Sequence, residues 1–589
     1  MHELIEQFAA RLPLDFRILY RQFLLRVIDL ETLSIQADVT EFLGQFAGIL
    51  IMLSLVHATF NYVGYTVFTD AVARLAFCQH MAHYEIATTM LVIGLVTVIS
   101  WDSTFPDRRD VMVLSPLPLT PRTILLAKLC ASAAVLGLAA LALNIASGLM
   151  MALLMGAQEG PAWGFLQSLP AWGFTLAAAS IFLYGSVLIM QGLTALVLPR
   201  RLFLRVSAFL QLAAFGLFLG VYFVQPSLPD AAAMAAPENH WILACSPSYW
   251  FYALFNQLNG SLPRGSAWIA YRAWIGLIVA VSGAAGSLLL CYIHTMKKTI
   301  EQPDLVPGAG GFHWTPRVGN QLQTAVTHFS IRALTRSRQH RVAFAFYLAI
   351  VLGLALSLLR SELARPPEMS LDFVIATLLM ILFAVAGLRN VFSLPISLTA
   401  NWVLRTTQLR PSPDYVAATR RALLVIAASP AWMLAASLSL HVRPAGQAAI
   451  HLVVLAVAGC IVTESCLIGF YKVPFTCSYL PGKANIQVAF WGFLIVLLVV
   501  IVPCAEFELR ALQSPLKSGW MIATLAAALA ALFAFNQCNA KDAVIYFEET
   551  PEEVITTLGL STFRSGGEAT CSRCNISIAA TAAFPPFRM

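Results

Sequence analysis

Ala449-Ile-His-Leu-Val-Val-Leu-Ala-Val-Ala-Gly-Cys-Ile-Val-Thr-Glu-Ser-Cys-Leu-Ile-Gly-Phe-Tyr471 is apolar over almost its whole length and carries one acid, Glu464. A helix rises about 1.5 Å per residue, so about 20 such residues cross a hydrocarbon core about 30 Å thick. Eleven further stretches read the same way: 42–61, 84–101, 124–156, 171–198, 203–225 and 267–296, then 342–359, 370–388, 422–440, 488–505 and 518–536. Hydrophobic residues make up 59% of the 589 and charged residues only 11%, against about 25% charged in a soluble domain. That composition excludes a soluble core. The chain reads as an all-α polytopic membrane protein with 12 transmembrane helices in two six-helix halves. An amphipathic interfacial helix precedes each half. The expected divisions are 1–300 for the first half, 301–341 for a cytoplasmic linker and interfacial helix, 342–540 for the second half, and 541–589 for a cytoplasmic tail.

Lys and Arg are kept on the cytoplasmic side of a membrane protein. With the N-terminus inside, 29 of the 37 basic residues fall on inside segments. Both termini are therefore expected in the cytoplasm of a cell that carries the chain in its inner membrane. The net charge of +7 then reflects topology, and no nucleic-acid partner is implied. Residues 1–40 lack an uninterrupted apolar run and hold acids such as Asp15 and Glu31, so no signal peptide is read there. Of the cysteines, Cys130, Cys291, Cys460, Cys466 and Cys504 sit in the apolar stretches as small lining residues. Cys571-Ser-Arg-Cys574 supplies two ligands where a structural zinc site needs four, so no metal site is assigned.

The interfacial helices are read from Leu14-Asp-Phe-Arg-Ile-Leu-Tyr-Arg-Gln-Phe-Leu-Leu-Arg-Val-Ile28 and from about 320–341, which ends in Thr335-Arg-Ser-Arg-Gln-His-Arg341. Arg17 and Arg21 share one face of the first, while Leu19, Phe23 and Leu24 favour another, as in a helix lying among headgroups. A nine-residue pattern also recurs. Thr120-Pro-Arg-Thr-Ile-Leu-Leu-Ala-Lys128 leads into the third stretch and Ser412-Pro-Asp-Tyr-Val-Ala-Ala-Thr-Arg420 into the ninth. In each, a hydroxyl is placed to cap a helix, a proline occupies its first turn, and a cation follows seven residues after the proline. The recurrence suggests internal duplication, although junctions of this kind favour such residues anyway.

The loop Trp101-Asp-Ser-Thr-Phe-Pro-Asp-Arg-Arg-Asp-Val-Met-Val-Leu-Ser-Pro-Leu-Pro-Leu-Thr120 resembles the coupling-helix region of type-2 ABC exporter permeases. The matching positions are Arg109-Asp110 after Arg108, the apolar turn ending at Leu114, Pro118-Leu119-Thr120, and Lys128. In the second half Leu394-Pro-Ile-Ser-Leu-Thr399 and the segment from Pro413 to Arg420 bracket a longer loop. The resemblance implies that these loops dock on an ABC-type ATPase subunit and that the chain exports an unknown substrate. It also fits short re-entrant helices within 227–266, where Ser246-Pro-Ser-Tyr-Trp-Phe-Tyr-Ala-Leu-Phe255 is aromatic enough for the membrane interface.

A P-loop needs G-x-x-x-x-G-K-[ST]. The Gly482-Lys483 pair has Cys477 in place of the first glycine and Ala484 in place of the hydroxyl. ATP would thus act through the partner subunit, and the chain itself is read as neither an enzyme nor a cofactor protein. The alternative is a 12-span secondary transporter of the major-facilitator kind. That family places G-x-x-x-D-R-x-G-R-R after its second span, where this chain has Ser103, Asp107-Arg108, Asp110 and Val111-Met112. A membrane transferase would need a His-x-x-x-x-Asp or paired-acid cluster, which the loops lack. Glu464 remains the most pointed intramembrane group, either lining a pathway or bonding helices together. His57, Asn61, Glu85 and Asn144 are weaker signals of the same kind.

Overall fold

Where water is excluded, backbone N–H and C=O groups must bond within their own segment. The described residues accordingly form helices joined by turns, with no strand among them. A computed structural model of the chain describes residues 13–28, 39–101, 114, 116–156, 163–226, 228, 230–263, 265–301, 317, 319–360, 369–394, 396, 412–440, 445–476 and 496–545.

The first part comprises α1 (Leu14–Ile28), α2 (Val39–Val67), α3 (Ala71–Ile99), α4 (Pro121–Asn144), α5 (Ser147–Gly156), α6 (Trp163–Val197) and α7 (Arg200–Val224). The short α8 (Ala231–Ala235), α9 (His240–Cys245) and α10 (Pro247–Leu258) follow, and then α11 (Ala267–Glu301). Beyond the linker come α12 (Gln321–Arg336), α13 (Arg338–Arg360), α14 (Leu371–Phe392) and α15 (Ser412–Leu423). A π turn at Leu424–Ala428 leads into α16 (Ser429–Ser439), followed by α17 (Ala445–Leu467). A second π turn at Val496–Ile501 precedes α18 (Val502–Leu512) and α19 (Pro515–Asp542).

Ten helical runs are long and apolar enough to cross a membrane: α2, α3, α4, α6, α11, α13, α14, the run from α15 to α16, α17 and α19. The chain is a multi-pass membrane protein by that measure. Two of the twelve expected stretches fall short among the described residues. In α7 the apolar helix narrows to Phe209–Val224, and the stretch at 488–505 is described only from Val496.

The third stretch is two helices. The amides of Ala146 and Ser147 donate to Ser54 Oγ of α2 at 3.1 and 3.0 Å. A side chain inserted into the i→i−4 ladder breaks it, which is a recognised cause of helix kinks. Thr120 caps α4 as expected, accepting from the Thr123 amide at 3.2 Å, with Pro121 in the first turn. Ser412 does not repeat this, because its buried hydroxyl has no hydrogen-bond partner among the described residues.

The same pairings recur along the chain. α1 packs on α4 through Leu19 and Phe23 against Ile124, Ala127 and Ala131. Likewise α12 packs on α15, with Ala333, Leu334, Val416 and Ala422 in one apolar cluster. α3 with α6 and α6 with α11 are matched by α14 with α17 and α17 with α19. α7 meets α13, where Phe215 stacks on Phe346 at 3.9 Å.

The aromatic segment expected at the membrane interface is packed inside the helices. In α10, Tyr249, Phe251, Tyr252 and Phe255 are fully buried among α3, α6 and α11. Each such ring removes about 150–250 Å² from solvent, and partners such as Trp172, 5.0 Å from Phe255, supply the groove that takes it. Trp241 of α9 keeps the exposure of an interfacial anchor.

Candidate functional site

The segment 114–128 and its second-half counterpart carry most of the sequence-derived site residues. Arg108, Arg109 and Asp110 lie outside the described residues. Leu114 is half-buried against the α1–α4 cluster together with Leu119, while Pro118 and Thr120 are exposed. This is a short capped knob standing on a rigid helix pair. Lys128 is not part of its exposed face. Its side chain is 3% exposed, and Nζ stands 5.1 Å from the centre of the Phe23 ring, so the cation fastens α4 to α1. Burial at the same seam pushes the Tyr20 phenol up.

Arg420 and Glu464, which the sequence suggested for different tasks, are partners. The Arg420 guanidinium donates through Nε to Glu464 Oε1 and through Nη2 to Oε2 at 3.2 Å. Asn536 Nδ2 of α19 donates to Glu464 Oε2 at 2.8 Å and to the Glu464 carbonyl at 2.9 Å. Arg420 also lies 4.6 Å above the Phe533 ring. Three helices, α15, α17 and α19, therefore meet at one carboxylate. α17 ends at Leu467, so Glu464 stands one turn from the helix end. Pro413 is half-buried at the start of α15, on the same helix as Arg420.

Three further polar groups are buried between helices. In the first, Glu85 Oε1 accepts from Asn61 Nδ2, and Thr89 Oγ1 pairs with Asn144 Oδ1 at 3.1 Å beside the α4–α5 break. In the second, His451 Nδ1 lies 2.6 Å from Glu508 Oε1 and its Nε2 lies 3.0 Å from Thr377 Oγ1, tying α17 to α18 and α14. The third joins His83, Ser248 and Gln225 at 3.2 and 2.8 Å. Tyr249 stacks on His83 at 4.0 Å and donates to the Pro226 carbonyl. Burial pushes the Tyr249 phenol up to about 12, so it stays a donor at neutral pH. The sequence reading missed His451 and Glu508. His451 inside the tenth apolar stretch was the available signal, but Glu508 lies three residues beyond the end of the eleventh and 57 residues away.

Among the described residues no group of three His, Cys, Asp or Glu side chains is placed to hold a metal. What the arrangement offers is mechanical and electrostatic: an exposed turn packed on α1 and α4, and, separately, a buried Arg420–Glu464 clasp joining α15, α17 and α19. Comparison with protein-family models, curated proteins and solved structures gives no match.

Proposed function

We propose that the chain is the membrane-spanning permease component of an ATP-driven ABC exporter, working with a separately encoded ATPase. In this reading two six-span halves supply the whole membrane unit, with both termini in the cytoplasm. The observation that carries it is the recurrent start of the third and ninth spans. In each case an amphipathic helix lies against the first turns of the span, at a proline-started junction with a loop. A stiff knob on such a pair transmits a rigid-body push to the helices behind it. Arg108, Arg109, Asp110, Leu114, Pro118 and Thr120 form the docking face in the first half. Lys128 anchors that face, and Pro413 and Arg420 mark the matching place in the second half.

The runner-up, a secondary transporter of the major-facilitator kind, draws support from the buried Glu85 and from the His451–Glu508 pair. Ion-coupled carriers place such groups inside the bundle. The two readings separate in one experiment. Leu114→Asp, or exchange of Arg109 and Asp110, should weaken co-purification of the ATPase and uncouple hydrolysis from transport, because docking energy concentrates in a few residues. Transport by the purified chain in liposomes under an ion gradient, with no ATPase present, would replace the exporter reading by the carrier.

A further inference from the structure

From Arg317 to Arg341 the sequence holds five arginines (317, 332, 336, 338 and 341) and no Asp or Glu. α12 fills most of that stretch and starts in a capping box, in which Asn320 and Gln323 satisfy each other's backbone amides. Its inward side carries the buried Val326, Thr327, Ser330, Ala333 and Leu334, the last two in one apolar cluster with Val416 and Ala422 of α15. Phe329, Arg332 and Arg336 are spaced by three and four residues, so they share the opposite side of the helix. All three are exposed. Phe329 keeps 44% of its surface open even though its ring meets Phe475 edge-on. The ion pairs among the described residues include neither Arg332 nor Arg336. The exposed Arg341 donates to the Thr335 carbonyl at 3.2 Å.

This face is fixed at the end of a span. One residue, Ser337, separates α12 from α13, whose apolar run extends from His340 to Arg360. Ser337 Oγ lies 2.6 Å from His340 Nδ1, and His340 Nε2 lies 3.0 Å from the Leu394 carbonyl just beyond α14. The corner is therefore pinned, and α12 stays where α13 enters the bilayer.

We propose that the outer face of α12 binds anionic phospholipids of the bilayer, with Arg332 and Arg336 on the headgroups and the Phe329 ring at the boundary with the acyl chains. A free phosphate or an acidic protein surface would match the arginines but leave an exposed ring without a role. A lipid surface uses both, as helices lying in the interface do. Basic residues beside a span attract anionic lipid, each strengthening the attachment about fivefold. α1 repeats the combination with less charge: Leu14, Ile18, Arg17 and Arg21 are exposed, but so is Asp15.

This inference needs neither an ATPase nor a transported substrate, so it stands or falls apart from the exporter reading. It is tested by native mass spectrometry of the full chain, titrated in detergent with phosphatidylglycerol or with phosphatidylcholine of the same acyl chains. The wild type should retain phosphatidylglycerol more tightly. Arg332→Gln/Arg336→Gln should lower that affinity by about an order of magnitude and leave phosphatidylcholine unchanged. Arg332→Lys/Arg336→Lys keeps the charge and should keep the preference; a loss equal to that of the glutamine pair would assign the arginines to the fold and overturn the proposal. It is also overturned if the wild type shows no preference, if the glutamine pair retains it in full, or if Arg17→Gln/Arg21→Gln abolishes it. Displacement of the lipid by millimolar inorganic phosphate would mean a free-anion site and is equally contrary. Should the glutamine pair fail to fold, either single variant decides in its place, with a loss of about fivefold expected and an unchanged affinity refuting.

Discussion

Glu464→Ala should cost about 3 kcal/mol of stability. The reasoning starts from burial: the Glu464 side chain is 4% exposed and that of Arg420 is 13% exposed. Removing one member of a buried pair costs about 3–5 kcal/mol, because the remaining charge is left uncompensated. Arg420 retains a little access to water, which places this change at the lower end. Arg420→Ala belongs higher in that range, since Glu464 is then buried with Asn536 as its remaining side-chain donor. Asn536→Ala removes neutral donors only. Interhelical hydrogen bonds in membranes average about 0.6 kcal/mol and those to charged groups about 1.5–3, so a loss of about 1–2 kcal/mol is expected. The double variant Glu464→Ala/Arg420→Ala removes both charges together. Its cost should fall short of the sum of the singles by at least about 1.5 kcal/mol, within the range seen for residues in direct contact. Denaturing-detergent titration in mixed micelles, followed by tryptophan fluorescence, measures all four variants. If the double variant is additive to within about 0.5 kcal/mol, the two side chains are not a functioning clasp and the argument fails.

Two further outcomes follow from packing. A Cβ at Gly164 would meet the backbone of Gly156, so Gly164→Val must push α6 from α5 and should cost about 1–3 kcal/mol; an unchanged unfolding midpoint would show that the backbones are not in contact. Phe23→Ala removes the ring that both fills the α1–α4 seam and covers Lys128, a change worth up to about 3–5 kcal/mol. It should expose the N-terminal arm to limited proteolysis, whereas a wild-type digestion pattern would mean that α1 is held by something else.

Helix-forming apolar stretches were legible because span length and composition are local properties. The Thr120 cap was legible for the same reason, since cap and proline are adjacent in sequence. The break after Asn144 was not. It depends on Ser54, more than ninety residues earlier, and the local signal, Asn144 and the Ser147-Gly148 pair, was a weak one inside a long apolar run. The aromatic run in α10 suited an interface by composition, yet a groove lined by Trp172 and Phe182 took it inside. Glu464 stood out as an acid in an apolar run, but its partner lies 44 residues away, so the sequence marked the charge without its purpose. Glu85 gave the same signal and drew less weight. Phe475 shows the limit most plainly. Its φ of 66° is rare for a side-chain-bearing residue. It is held by the Phe392 carbonyl at 2.8 Å and by the rings of Phe329, His340 and Phe392, all distant in sequence.

The π turns connect these observations. Pro430 follows the turn at Leu424–Ala428, and Pro503 follows the turn at Val496–Ile501. A proline has no N–H and its ring crowds the carbonyl four residues earlier, here Ile426 or Val499. Widening the ladder by one residue relieves that clash, which is how a π turn arises inside an apolar helix. Arg420 lies four residues before the first of these turns, and Glu508 lies seven residues after the second. A buried ion pair such as Arg420–Glu464 costs desolvation and is a poor source of net stability. Its placement beside weakened backbone points to a different purpose. A clasp that fixes α15 to α17 and α19 leaves the π turn as the place where the run from α15 to α16 can bend. The His451–Glu508 contact, seven residues past the second turn, holds α18 to α17 and to Thr377 of α14 in the same manner.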